Sequence, residues 1–144
     1  MRAYPALALV AALAACARVP APSAPETAPP PVASQNSAVV ALVTSAREHA
    51  SAGSLSTAAA ELERALRIEP RNAALWHELA RLNLHQGQPS QAVQFAQKSN
   101  TLAGNDARLR AANWRLIGQA RTQSGDHAGA EFAFQKAAEL EREL

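Results

Sequence analysis

The side chains of this chain that could support catalysis or bind a metal are few and scattered. There are four histidines and one cysteine among 144 residues. His77 and Glu78 begin a pattern like that of a zinc-protease helix, but position 81, where a second histidine would be needed, is Arg81. His85 lies eight residues from His77, too far along one helix for both to hold a single metal. With no glycine-rich phosphate loop and no serine in a nucleophile elbow, we predict no enzyme, no catalytic residue, no metal and no cofactor.

Arginines recur at a regular spacing, and this is the more informative pattern. Arg47, Arg81 and Arg115 are each 34 residues apart. Guanidinium groups repeated along one face could bind the carboxylates of an extended peptide bidentately. The alternative is that these arginines pair with neighbouring acids such as Glu48 and Glu78, or are simply solvated. A formal net charge of +2, with Lys and Arg alternating with Glu, does not favour nucleic acid as a partner.

Composition predicts the type of element that carries these arginines. The chain is 48% hydrophobic and 18% charged, which is typical of a globular domain with a real core. Ala and Leu dominate the apolar fraction and only 4% of residues are aromatic, a mixture that favours helices over strands. We therefore expect an all-α fold.

Internal repeats appear when three glycines are aligned. Gly53, Gly87 and Gly125 are each followed five residues later by an alanine, and small residues lie seven residues before them, at Ala46, Ala80 and Gly118. A large side chain lies eleven residues before each glycine, at Leu42, Trp76 and Trp114. Two helices can cross closely only where side chains are small, and glycine supplies the turn between them. The pattern predicts three helical hairpins, with both tryptophans packed in the core.

This pattern resembles the tetratricopeptide repeat from residue 39 to residue 144. The resemblance implies an α-solenoid of three units, at residues 39–72, 73–106 and 111–144, within a domain spanning 37–144. Residues 107–110 are extra and should lengthen the first helix of the third unit by about one turn, with Asp106 as its N-cap. The chain departs from the family pattern at His49, Asn83 and Arg121, where an aromatic residue is usual.

The resemblance also implies a binding face. In this family the first helices of successive hairpins line a concave surface that binds a protein or peptide. The corresponding partner-binding positions here are Arg47, His77, Arg81, His85, Arg115, Gln119 and Gln123. On the last helix, Phe132 and Leu140 could form an apolar patch, where we expect weak homodimerisation or a partner contact.

The N-terminus has the layout of an exported lipoprotein. Residues 1–15 carry one early arginine and a short apolar stretch, as a signal peptide does. The ending Leu13-Ala14-Ala15-Cys16 resembles the bacterial lipobox, which implies lipidation of Cys16 and attachment to the membrane; an ordinary signal peptide is the alternative. Ala17 follows the cysteine, which favours the outer membrane, facing the periplasm. Residues 16–36 are rich in proline and alanine and predict a disordered linker.

The whole layout resembles the outer-membrane lipoprotein activators of class A penicillin-binding proteins. The resemblance implies a non-enzymatic protein-interaction module in the bacterial cell envelope that regulates a peptidoglycan synthase. The alternative is a scaffold lipoprotein in pilus, secretion-system or outer-membrane assembly.

Overall fold

A computed structural model describes residues 30–144. The predicted signal peptide, Cys16 and the first part of the linker lie outside these residues. Between residues 30 and 144 the chain forms six helices and no strand, which confirms the all-α prediction. The helices are α1 (Ser37–Ser51), α2 (Leu55–Ile68), α3 (Ala73–His85), α4 (Pro89–Leu102), α5 (Ala107–Gln123) and α6 (His127–Glu141).

The six helices pack as three successive hairpins, α1 with α2, α3 with α4 and α5 with α6. Each hairpin turns at one of the three aligned glycines. Gly53, Gly87 and Gly125 have φ angles of +79°, +72° and +81°. This left-handed backbone is adopted readily by glycine but costs free energy for residues that carry a Cβ. The role predicted for these glycines is confirmed.

Side-chain caps fix where the first helix of each hairpin begins. Asn36, Asn72 and Asp106 accept hydrogen bonds from backbone N–H groups in the first turns of α1, α3 and α5. The cap of α5 is the one predicted, with Asp106 Oδ1 accepting from the Leu109 N–H at 2.9 Å. The extra residues lengthen this helix as expected, because α5 has 17 residues and α3 has 13.

Two apolar clusters form the core. The first joins the α1–α2 hairpin to α3, and the second joins α3 and α4 to α5 and α6. Each tryptophan packs beside one cluster, as predicted: Trp76 lies 5.7 Å from Phe95 and Trp114 lies 6.0 Å from Phe132 between ring centroids. Burial of such rings and of the surrounding leucines contributes about 1.5–3 kcal/mol per fully buried side chain.

In the third hairpin, the absence of a side chain at Gly118 leaves room for the Phe134 ring. A Cβ built there would lie 2.5 Å from the ring of Phe134 on α6. The equivalent positions Ala46 and Ala80 are also buried. Small residues therefore allow close packing at these positions, as the aligned pattern predicts.

None of the helices between residues 30 and 144 combines the length and the apolar character that crossing a membrane requires.

Candidate functional site: a groove beside α3 and α5

A groove of about 810 Å³ lies beside α3 and α5. Its volume is in the range of about 300–1,000 Å³ typical of ligand-binding clefts. Thirteen of its 21 lining residues are Ala, Leu or Pro, so most of the lining is apolar. The polar lining residues are Asn72, His77, Arg81, His85, Asp106, Arg108, Gln119 and Glu141.

Four of the residues predicted for the concave face line this groove, namely His77, Arg81, His85 and Gln119. Arg47, Arg115 and Gln123 are not part of its lining. Arg47 and Arg115 instead pair with acids, and the acid that pairs with Arg115 does line the groove. The structure thus brings together part of the predicted set, and the arginines do not form a ladder of unpaired cations.

Arg47 and Arg81 both pair with Glu78, whose side chain is only 2% exposed. Arg47 Nη2 donates to Glu78 Oε1, and Arg81 Nη2 donates to Glu78 Oε2 at 3.0 Å. Of the two acids considered from the sequence, Glu78 is therefore the one that binds arginines. Two guanidinium groups share this single carboxylate, so the cluster keeps a net positive charge beside the groove.

Two arginines of α5, Arg108 and Arg115, differ in their partners. Arg115 Nη2 lies 2.6 Å from Glu141 Oε1 at the end of α6. Arg108 is exposed, lines the groove and makes no ion pair with any residue between 30 and 144. Arg108 belongs to the extra residues 107–110, which the repeat alignment set aside. It is therefore the groove arginine most available to a ligand.

His77 is part of a buried hydrogen-bond network that joins α3, α4 and α5. Asn113 Nδ2 donates to Ser99 Oγ at 2.8 Å and to Asn100 Oδ1 at 3.0 Å. Asn113 Oδ1, 2.7 Å from His77 Nδ1, is therefore the acceptor, and the ring nitrogen carries the proton. Ser99 Oγ in turn donates to the Ala73 carbonyl at 2.8 Å.

This network affects the charge that His77 can carry. Burial lowers the pKa of His77 below its ordinary value of 6.5, and this outweighs the Asn113 hydrogen bond and the nearby Glu78 charge, which both favour the protonated ring. His77 is therefore neutral at neutral pH. Although it lines the groove, only 4% of the residue is exposed, so its main contacts are within the domain.

Comparison with known proteins identifies the repeats. Two family models, both described as tetratricopeptide repeat, match residues 49–113 and 111–144. The globular C-terminal domain of P. aeruginosa LpoP is 42% identical to this chain, with a TM-score of 0.71; the match covers 73% of this chain and 99% of that domain. The chain belongs to the tetratricopeptide repeat family.

More distant structures share this fold. The TPR domain of Sgt2 from Aspergillus fumigatus is 23% identical, with a TM-score of 0.66, over 74% of this chain and 68% of that one. MamA is 19% identical, with a TM-score of 0.66, over 73% and 59%. At these identities the likeness shows the fold alone. Comparison with curated proteins gave no match. The TPR fold makes this domain a protein-interaction module.

The alignment did not identify several groove residues of the TPR domain. Leu84, Leu109 and Leu116 line the groove beside the polar positions, and Pro30 and Pro31 reach it from the linker. The three leucines could have been considered as groove residues from the sequence, because they lie on the same predicted helices as the concave positions. Nothing in the proline-rich stretch distinguished its last residues from the rest.

The last helix of the TPR domain exposes aromatic side chains. Phe132 is 49% exposed and Phe134 is 41% exposed, while Leu140 is partly buried. Phe132 therefore supplies most of the expected patch, because Phe134, two residues further along the helix, leaves it in a different direction. Lys136 Nζ lies 5.8 Å from the centroid of the Phe132 ring, so this ring already has a cation beside it. Homodimerisation through this patch stays a prediction.

Proposed function

We propose that this chain is a periplasm-facing lipoprotein, lipidated on Cys16 and held at the outer membrane, that binds and regulates a penicillin-binding protein. The observation that supports this proposal best is the 42% identity with the C-terminal domain of LpoP across 99% of that domain. We infer that LpoP is the counterpart of this chain among the lipoprotein activators that its layout resembles. In this proposal the TPR domain acts by binding and performs no chemistry itself.

We further propose that the partner binds in the groove described above. The residues assigned to this contact are Arg47, His77, Arg81, His85, Arg115 and Gln119, and Arg108 is added to them. Arg47 and Arg115, which do not line the groove, and the buried His77 would act mainly by fixing its walls. Arg81, Arg108 and Gln119 would contact the partner.

The groove suggests the chemistry of the bound segment. Its lining is mostly apolar, and the Arg47–Glu78–Arg81 cluster beside it has one more positive than negative charge. The two acids of the lining are already engaged, Asp106 as the cap of α5 and Glu141 with Arg115, while Arg108 makes no ion pair with residues 30–144. A complementary segment therefore carries apolar side chains together with a carboxylate. We propose an exposed segment of this type on the synthase.

The direct test is binding to the periplasmic part of a class A penicillin-binding protein and the rate at which that enzyme polymerises glycan chains. Arg108→Glu reverses an exposed charge in the groove without removing a side-chain hydrogen bond or an ion pair among residues 30–144. We expect it to weaken binding about fivefold or more, the size typical of an interfacial charge. Lys98→Glu is the matched control, because Lys98 is exposed on α4 and does not line the groove.

Capture from crosslinked cell envelopes separates this function from the scaffold alternative. Recovery of a penicillin-binding protein with the tagged chain supports the proposal. Recovery of secretin or barrel-assembly components, without a synthase, would replace regulation by a structural role in assembly.

A further inference from the structure

The last residues of the linker, directly before α1, are held against the TPR domain. Ser34 Oγ donates to Glu69 Oε1 at 2.7 Å. Asn72 Nδ2 donates to the Ala33 carbonyl at 3.2 Å and to Glu69 Oε2 at 2.7 Å. Ser34, Glu69 and Asn72 form what we call the latch. It ties the linker to the turn between α2 and α3, more than thirty residues away in sequence.

Other contacts hold the same segment. The side chain of Val32 packs against the first core cluster, in which Leu75 and Leu79 of α3 take part. Ser34 Oγ also accepts a hydrogen bond from the Asn36 N–H at 3.0 Å, and Asn36 caps α1. The two latch hydrogen bonds, from Asn72 first and Ser34 second, lower the pKa of Glu69 below its ordinary value of 4.5, so the carboxylate is ionised and accepting at neutral pH.

The latch fixes where the linker prolines lie. Pro30, Pro31 and Ala33 line the groove, together with Arg81 of α3 and Leu116 of α5. A wall of prolines suits a binding site, because their φ angles are already restricted and little conformational entropy is lost when a ligand packs on them. None of these three residues belongs to a helix, so the repeat pattern does not account for their position in the groove.

We propose that residues 30–33 form one wall of the partner site and contact the bound partner; we call them the linker wall. The partner segment that enters the groove packs against Pro30 and Pro31, and the latch residues are positioning residues that hold the wall in place. This inference rests on the proposed function in taking the groove as the partner site. The occupant is the synthase segment proposed above, which carries apolar side chains and a carboxylate.

Site-specific photocrosslinking in the full chain, expressed in the envelope of its own host, tests the linker wall. A photoreactive amino acid is placed at Ala33 in the wall, at Gln119 on α5 across the helical part of the groove, and at Glu63 on α2 as an exposed control outside the groove. We expect Ala33 and Gln119 to capture the same penicillin-binding protein, and Glu63 to capture none of it.

The possible results separate the two proposals. Capture from Gln119 without capture from Ala33 overturns the linker wall and leaves the proposed function intact. Capture of a non-synthase protein from both positions overturns regulation of a penicillin-binding protein, and with it the occupant proposed for the linker wall. Absence of capture from both positions overturns the wall, since the groove would then hold no partner, while binding of the unaltered chain to a penicillin-binding protein still tests the function by itself.

A latch variant tests the positioning role. Ser34→Ala removes the bond to Glu69, and Gln35→Ala is the matched control in an exposed neighbour outside the groove lining. We expect Ser34→Ala to lower the capture yield from Ala33 about threefold to tenfold, the effect of losing one charge-assisted hydrogen bond. The thermal unfolding midpoint should stay close to that of the unaltered chain, because no core side chain changes. Equal yields in the two variants would show that the latch has no positioning role.

Discussion

Helix α3 is joined to its two neighbouring hairpins by opposite kinds of polar contact. Towards α1, the junction carries the charged cluster in which Arg47 and Arg81 bind the carboxylate of Glu78. Towards α5, it carries a neutral network in which His77 and Ser99 bind Asn113. His77 and Glu78 are adjacent in sequence, so a helix of 13 residues directs one polar side chain to each neighbour.

The difference shows that two junctions of one short repeat array can be held together by different kinds of polar contact. Ion pairs with partly exposed arginines tolerate small shifts between helices, because the charges attract over a range of distances. A buried amide must have its partners within hydrogen-bond distance, and every buried side-chain nitrogen or oxygen between residues 30 and 144 does have a partner. We infer that the α3–α5 junction is the more rigid of the two.

The largest expected effect comes from Asn113→Ala, which breaks the neutral network. It leaves His77 and Ser99 buried without their shared partner, which should lower the free energy of unfolding by about 3 kcal/mol. Urea denaturation measures this change. Asn105→Ala is the control, because Asn105 is exposed in the turn before α5 and should cost less than about 0.5 kcal/mol. Equal costs for the two variants would contradict a structural role for the network.

Glu78→Gln tests the charged junction. It keeps the shape of the side chain but leaves two guanidinium groups facing each other without a carboxylate between them. We expect a loss of about 2 kcal/mol, less than for a fully buried pair, because Arg47 is 42% exposed. The exposed pair of Arg64 with Glu61 offers a comparison, since Glu61→Gln should change stability by less than about 0.5 kcal/mol. An equal loss in the free energy of unfolding for both variants would show that the buried carboxylate of Glu78 stabilises the fold no more than the exposed pair does.

Acidification should weaken the neutral junction selectively. Because the pKa of His77 is lower in the folded chain than its unfolded value of 6.5, the unfolded state binds the proton more readily below that pH. The stability that depends on a neutral His77 is fully present above about pH 6.5 and is lost as the pH falls below that value. Urea midpoints at pH 7.5 and 5.5 should differ less in His77→Gln than in the unaltered chain. His127→Gln, at an exposed position, should keep the full difference.

Salt should give the smallest effect and separate the junctions most cleanly. Raising the ionic strength to about 1 M screens partly exposed charges, so the stability difference between Glu78→Gln and the unaltered chain should shrink by about 0.5 kcal/mol. The difference for Asn113→Ala should stay the same, because a neutral amide carries no charge to screen. Parallel unfolding curves in low and high salt measure both. A shared salt response would show that the two junctions do not differ in kind.

Helix positions were predictable from the sequence because they depend on local patterns. The spacing of Gly53, Gly87 and Gly125 predicted the hairpins, and Asp106 predicted the start of a lengthened α5. Side-chain partners were less predictable, because they depend on which helices meet. Arg47 and Glu78 are 31 residues apart and His77 and Asn113 are 36 apart. The alignment places such residues on helices but does not say whether a side chain turns to the groove or to a neighbour.

Part of the groove was unpredictable for a different reason. The positions of Pro30 and Pro31 in its lining depend on the latch, and the latch joins a segment without periodicity to a turn between two repeats. Neither the composition of the linker nor the family pattern carries that information. Arg108 was missed because it stands in the residues that interrupt the repeat spacing.

The latch also limits how far the domain can lie from Cys16, the predicted lipidation site. Pro30 follows Cys16 by 14 residues, and chain geometry limits the distance between them to about 50 Å even at full extension. With a lipid on Cys16, as proposed, the groove would therefore lie within about this distance of the membrane surface, because Pro30 lines the groove. If that membrane is the outer one, as proposed above, the binding segment of the partner would have to come within this distance of it.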